Sequence, residues 1–178
     1  MLEEMTEFFK RYEKEFFKKF NKYPSIPYSE RWNKDLLIGE PDSSKWIRWQ
    51  PIVQNKVIDW KLLESEIGFK LRDEIKDYFS SYYFFRIESM IENIMLDLKK
   101  ISSFEEVTKN VIIWANTAKI AFPEKHCFEI GTAKIDGDDG YYIFIDNDTG
   151  KVFCQEFDKM NKVDLADSIG HLFEKMKV

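Results

Sequence analysis

Residues 127–157 read CFEIGTAKI, DGDDG, YYIFID, NDTG and KVFCQEF in succession, and this stretch decides the fold. The segments 127–135, 141–146 and 151–157 are rich in aromatic and β-branched residues. Asp136 to Gly140 and Asp146 to Gly150 divide them, each a turn sequence with glycine available for positive φ. The pattern predicts an antiparallel meander. Beyond it, residues 163–177 place Leu165, Ile169, Leu172, Phe173 and Met176 on one face, which predicts a last helix covering the sheet.

Working back toward the start, Ser103 with Glu106 three residues on forms a capping box. It opens a helix whose buried face is Phe104, Val107, Val111, Trp114, Ala115 and Ala118, finished before Pro123. Residues 93–101 are ambiguous, because Met95-Leu96-Asp97-Leu98-Lys99-Lys100 leans helical by propensity while Ile94, Leu96 and Leu98 alternate as a half-buried strand would. From Asp59, a good N-cap, to about Tyr78, one helix is predicted, with Trp60, Leu63, Ile67, Leu71, Ile75 and Tyr78 on one side. Glu64 falls inside that apolar stripe, where a carboxylate is costly unless it is paired, bonded to amides or at the edge of a cleft. A place at the stripe's margin, or an internal salt bridge to an arginine, is the plainer account.

Glu3 to Asn21 carries Met5, Phe8, Phe9, Tyr12, Phe16 and Phe20 at spacings of three and four, the period of an amphipathic helix. Acids and bases alternate on its polar face, so docking on its own domain is expected rather than lying on a membrane. Residues 23–51, with prolines at 24, 27, 41 and 51, predict an irregular connection with short extended pieces that wraps the core or forms a functional rim. Within it, Trp46-Ile47-Arg48-Trp49-Gln50-Pro51 joins two indoles to a proline that holds Gln50 extended, giving a rigid segment suited to recognition. Both indoles can equally be core.

The 178 residues suit one domain, 1–178, with one core, and 44% apolar with 33% charged residues argues against a membrane span. No run approaches the roughly 18–20 apolar residues a spanning helix needs. The acidic start, Met1 to Glu7, lacks a basic leader, which predicts a cytoplasmic protein. Cys127 and Cys154 then read as buried thiols rather than a disulfide. A net charge of −5 disfavours nucleic acid. Glu129, Asp136, Asp138, Asp139, Asp146 and Asp148 against a lone Lys134 suggest a local acidic field that favours a basic partner, or simply solvated turns.

The chemistry of catalysis is thin. Asp136 to Gly140 fails as a calcium loop, because position twelve would be Asn147 instead of a bidentate glutamate. Neither His126 nor His171 is spaced with the cysteines as a zinc site requires, and no cofactor loop occurs. An alternative activity, a thiol-dependent hydrolase or transferase, would use Cys154 or Cys127 with His171, yet strand cysteines carry no mark of activation.

Ile26-Pro27-Tyr28 followed by Trp49-Gln50-Pro51, Leu63-Glu64, the aromatic run Tyr78 to Phe85, Asn147-Asp148-Thr149-Gly150-Lys151-Val152 and the segment Asp164 to Met176 resembles, in order and spacing, the Syd family of SecY-interacting proteins within the SUKH superfamily. The resemblance implies an α+β domain, mostly antiparallel sheet with helices packed on it, and decides for a strand over residues 93–101. It also implies a non-enzymatic binding role with one of two partners: cytoplasmic parts of the SecY translocase, with peripheral recruitment to the membrane face, or a toxin neutralised by an immunity protein. Tyr28, Trp49, Gln50, Glu64 and Asp139 are the expected contacts for a basic protein partner on an acidic, aromatic-lined concave face.

Overall fold

A computed structural model of the chain describes residues 2–156 and 161–178. Helix α1 (Leu2–Phe20) has acids in its first turn and Lys18 and Lys19 in its last, in keeping with its dipole. Met5, Phe8, Phe9 and Tyr12 are sealed from water. After it, β1 (Ser25–Pro27), β2 (Leu37–Ile38) and β3 (Trp46–Trp49) form a small antiparallel sheet in the order β1-β3-β2. The expected wrap over residues 23–51 is thus partly ordered, and Arg48 ties it to Glu13 of α1 at 2.5 Å.

Strand β4 (Ile52–Val53) leads to α2 (Trp60–Ile67), α3 (Asp73–Ser81) and β5 (Tyr82–Tyr83), which pairs with β4. The Asp59 carboxylate accepts from Leu62 N at 3.1 Å, as an N-cap should. The single helix expected from Asp59 to Tyr78 is two helices. Gly68, at φ 86°, takes the left-handed conformation, and its N–H closes on Glu64 O, so α2 stops there. The apolar period runs on into Leu71, Ile75 and Tyr78 because both helices face one core.

The main sheet follows: β6 (Ile87–Ile91), β7 (Ile94–Leu98), then after α4 (Phe104–Ala121), β8 (Cys127–Ile135), β9 (Asp138–Asp146), β10 (Val152–Glu156) and β11 (Lys162–Ala166). All neighbours are antiparallel, in the order β11-β10-β9-β8-β7-β6, so the expected meander forms, and the strand expected over 93–101 forms within it as 94–98. Phe157, the expected end of the third meander strand, lies outside the described residues. The last helix is shorter than expected. Residues 163–166 belong to β11, and α5 (Ile169–Lys175) starts after Ser168, whose hydroxyl accepts from His171 N.

The capping box at α4 is offset by one residue. Ser103 Oγ accepts from Glu106 N, but the Glu106 carboxylate returns to Ser102, through N at 2.9 Å and Oγ at 2.6 Å. Helices and sheet meet on an aromatic core in which Phe8, Tyr78, Phe79, Phe84, Phe128 and Phe173 are fully buried. Each such side chain contributes roughly 1.5–3 kcal/mol by leaving water. The architecture is α+β, a curled six-strand antiparallel sheet with helices packed on it.

Candidate partner-binding face

Strand β7 alternates as its period of two requires. Ile94, Leu96 and Leu98 are buried in the core, while Met95, Asp97 and Lys99 project from the opposite face. On β6 the cross-strand neighbour of Asp97 is Glu88, two like charges that would repel. Arg86 relieves this: its guanidinium lies 3.4 Å from Glu88 and donates through Nε to Asp97 at 2.5 Å. Burial on the sheet face pushes the Asp97 carboxyl up from its ordinary value, against the pull of Arg86. Further along, Lys99 pairs with the buried Glu129 and lies over the Trp114 ring at 5.5 Å, and Lys100 covers the half-buried Trp32 at 4.3 Å.

This outer face is hollow. A groove of about 620 Å³ lies between the end of α1 and the β6–β8 strands, with Phe16, Phe20, Met90 and Met95 as its apolar lining. A shallower depression of about 430 Å³, under Lys99, Lys100 and Trp114, shares Arg86, Asp97 and Thr132 with it. Together the two hollows follow β7 from Met95 to Lys99, about 13 Å at strand rise, which fits four or five residues of an extended segment.

The two ends of the groove carry opposite charge. At the hairpin end stand Asp139 and Lys134, in the lining, and Asp136, Asp138 and Glu92 on the adjoining tips, where Asn93 Nδ2 donates to Asp136 at 3.2 Å. At the α1 end stand Lys19 and Lys22, also in the lining.

The acid-rich late hairpins therefore do not form one surface. Asp138 and Asp146 terminate the nine-residue β9 and lie about 26 Å apart at strand rise. Glu129 is buried in its pair with Lys99 and adds nothing to an outward field.

The five expected contact residues are not gathered in one place. Tyr28 is exposed beside the small sheet, and Gln50 is exposed with its N–H on Leu36 O. Trp49 is only 4% exposed and packs edge-on against Phe85, whereas Trp46, 45% exposed, is the indole facing solvent. Glu64 sits where α2 ends: its Oε1 accepts from Leu71 N at 3.0 Å and pairs with Lys76 at 2.8 Å. The pairing foreseen with an arginine is made with a lysine. Lys76 first, and the Leu71 amide second, hold the Glu64 carboxyl below its ordinary range. Asp139 alone of the five lines the groove. Arg86, Glu88 and Met90 were missed because residues 86–91 show no turn sequence or long periodic run to frame β6.

Both cysteines are buried free thiols. Burial pushes Cys127 up to about 12 and Cys154 up to about 11, so almost no thiolate exists near neutrality. Among the described residues no group of three or more His, Cys, Asp or Glu side chains is placed to hold a metal ion, and no helix is long and apolar enough to cross a membrane.

A curled antiparallel sheet with a hollow, charge-bridged face offers a surface on which another chain can be held. The Syd protein (SUKH-2) family model matches residues 2–177, and the chain belongs to that family. No curated protein matches it. The family is generally one of non-enzymatic binding proteins, which suggests a protein-binding module.

Proposed function

We propose that the chain is a non-enzymatic module that holds an extended, basic segment of a cytoplasmic partner across the groove on β6–β8, with the cytoplasmic region of SecY as that partner. The carrying observation is the groove itself, with Met90 and Met95 on its floor and Asp139, beside Lys134, at the hairpin end. Main-chain and apolar contact with Met90 and Met95 supplies affinity, and Asp139 with its neighbours sets direction by accepting the basic residues of the segment. Membership of the Syd family favours the translocase over a toxin. The high thiol pKa values count against thiol-dependent hydrolysis or transfer through Cys154 or Cys127 with His171.

Binding of the purified chain to SecY in detergent, with Met95→Lys and Asp139→Asn beside it, is the test. Met95 is 54% exposed, so the change does not disturb the core. Loss of binding by Met95→Lys of tenfold or more, with a smaller loss for Asp139→Asn, supports the groove. Unchanged affinity in both sinks it. Capture of a basic nuclease toxin with no affinity for SecY replaces the translocase reading with the immunity one.

A further inference from the structure

Helix α1 changes character along its length. Met5, Phe8, Phe9 and Tyr12 are at most 6% exposed, but Phe17 is 41% and Phe20 47% exposed, and Tyr23 just beyond is 39% exposed. The last turn overhangs the core. Charge changes at the same point. Residues 14–23 carry Lys14, Lys18, Lys19 and Lys22 against Glu15 alone, a local balance of +3 (four minus one) on a chain of net charge −5. Glu15 is itself engaged, accepting from Val178 N at 3.4 Å and lying 4.0 Å from Arg11. Phe17 meets Tyr23 at 4.8 Å, and Phe16, itself packed on the core, meets Phe20 at 4.7 Å, while the Arg48 guanidinium covers one face of Tyr23 at 3.5 Å. Asn21, at φ 52°, takes the left-handed conformation just past the end of the helix.

Half-exposed rings interleaved with lysines at a helix end fit an anionic surface into which rings can sink, and membrane interfaces favour this combination. We propose that the C-terminal tip of α1, through Phe17, Phe20 and Tyr23 with Lys18, Lys19 and Lys22, docks directly on anionic lipid headgroups. The site overlaps the basic end of the groove at Lys19, Phe20 and Lys22, while Phe17, Lys18 and Tyr23 lie outside the groove lining. An acidic peptide, the competing ligand for the same charges, would gain little from Phe17, which lies outside the groove lining.

Co-sedimentation of the full chain with protein-free vesicles, either pure phosphatidylcholine or containing 30% phosphatidylglycerol as a chosen probe, separates these cases. Binding only to the anionic vesicles, weakened by salt, is the expected result. Lys18→Gln with Lys19→Gln and Lys22→Gln should lower the partition about 100-fold, at roughly fivefold per lysine. Phe17→Ser, which keeps every charge and lines no groove, should lower it about three- to tenfold. Thermal melts that match the parent show that the variants remain folded. Equal binding to both vesicles, no binding to either, or indifference to Phe17→Ser overturns the proposal, as does binding of a polyglutamate peptide with none of the vesicles. Because SecY is not in the experiment, its outcome does not depend on the groove reading.

Discussion

The two acidic turns of the meander look alike as sequence and serve opposite ends as structure. In the β9–β10 turn, Asp146 Oδ1 accepts from Asp148 N and Thr149 N, and the buried Asn147 joins the turn to the α2–α3 corner, accepting from Arg72 N and donating to Lys70 O, each at 3.0 Å. Asp148 meets His126 Nδ1 at 2.9 Å, and His126 in turn stacks on Phe69 at 4.3 Å. That turn is a stitch. In the β8–β9 turn, among the described residues, Asp138 accepts only from Gly140 N and Asp136 only from Asn93 at the neighbouring tip. Polar groups consumed by backbone amides hold the fold, while groups turned to water at a groove mouth are available to a partner.

Breaking the stitch should have the largest effect. Asn147→Ala leaves the Arg72 N–H and Lys70 C=O in a site only 5% exposed at Asn147, at a cost of about 2–4 kcal/mol, or roughly 5–15 °C in Tm for a chain of this size. Urea denaturation measures it, and a loss under 1 kcal/mol would mean that water replaces the amide. The glycines of the two turns sharpen the contrast. Gly150 and Gly137 both have φ above 80°, so alanine costs about 1 kcal/mol of backbone strain at either. At Gly150 a Cβ would also meet Glu74 Oε2 at 3.2 Å and Arg72 Nε at 3.3 Å, whereas at Gly137 it would meet nothing within 4 Å. Gly150→Ala should therefore destabilise by about 2 kcal/mol and Gly137→Ala by about half that; equal losses would place the difference in strain alone.

Glu64 belongs with the stitches. Its carboxyl is held low by Lys76 and the Leu71 amide, so its stabilisation is fully present above the unfolded value of about 4.3 and disappears as the pH falls through the lower folded value. Glu64→Gln keeps an acceptor for Leu71 N and loses the ion pair, about 1 kcal/mol at neutral pH. Unfolding curves from pH 7 down to pH 3 should show the gap between parent and variant closing on the acid side. A gap that widens there would contradict the pairing.

How far these roles were legible in the sequence depends on parity and on distance. Trp46 and Trp49 are separated by an odd number of positions on one strand, which puts them on opposite faces, one in water and one in the core. The β meander and the face of α4 follow directly from their periods. The break at Gly68 does not, because the apolar period survives the break and a lone glycine within a helical run is often tolerated. Strand β11 is only five residues long, and Leu165 fits the stripe of the helix that follows as well as it fits an alternation with Val163. Charge was the least legible property. Acids ten positions apart in a list are neighbours in sequence, yet a nine-residue strand between them carries them to opposite ends of the sheet, and the lysines that give the groove its other pole come from α1, more than 100 residues earlier.

The smallest effect on stability is expected at the outward turn, and it bears most directly on function. Replacing Asp136, Asp138 and Asp139 together by asparagine removes three exposed charges while asparagine still accepts the two local hydrogen bonds, so the free energy of unfolding should move by no more than about 0.5 kcal/mol. Association with a basic partner should slow several-fold at low ionic strength, and the difference from the parent should shrink as salt screens the rim, because exposed charges act on encounter more than on the finished contact. Stopped-flow or surface-based association rates at two salt concentrations read this out. A rate unchanged at low salt would leave this turn as solvated as the other is stitched, and would return the recognition of the partner to the apolar floor around Met95.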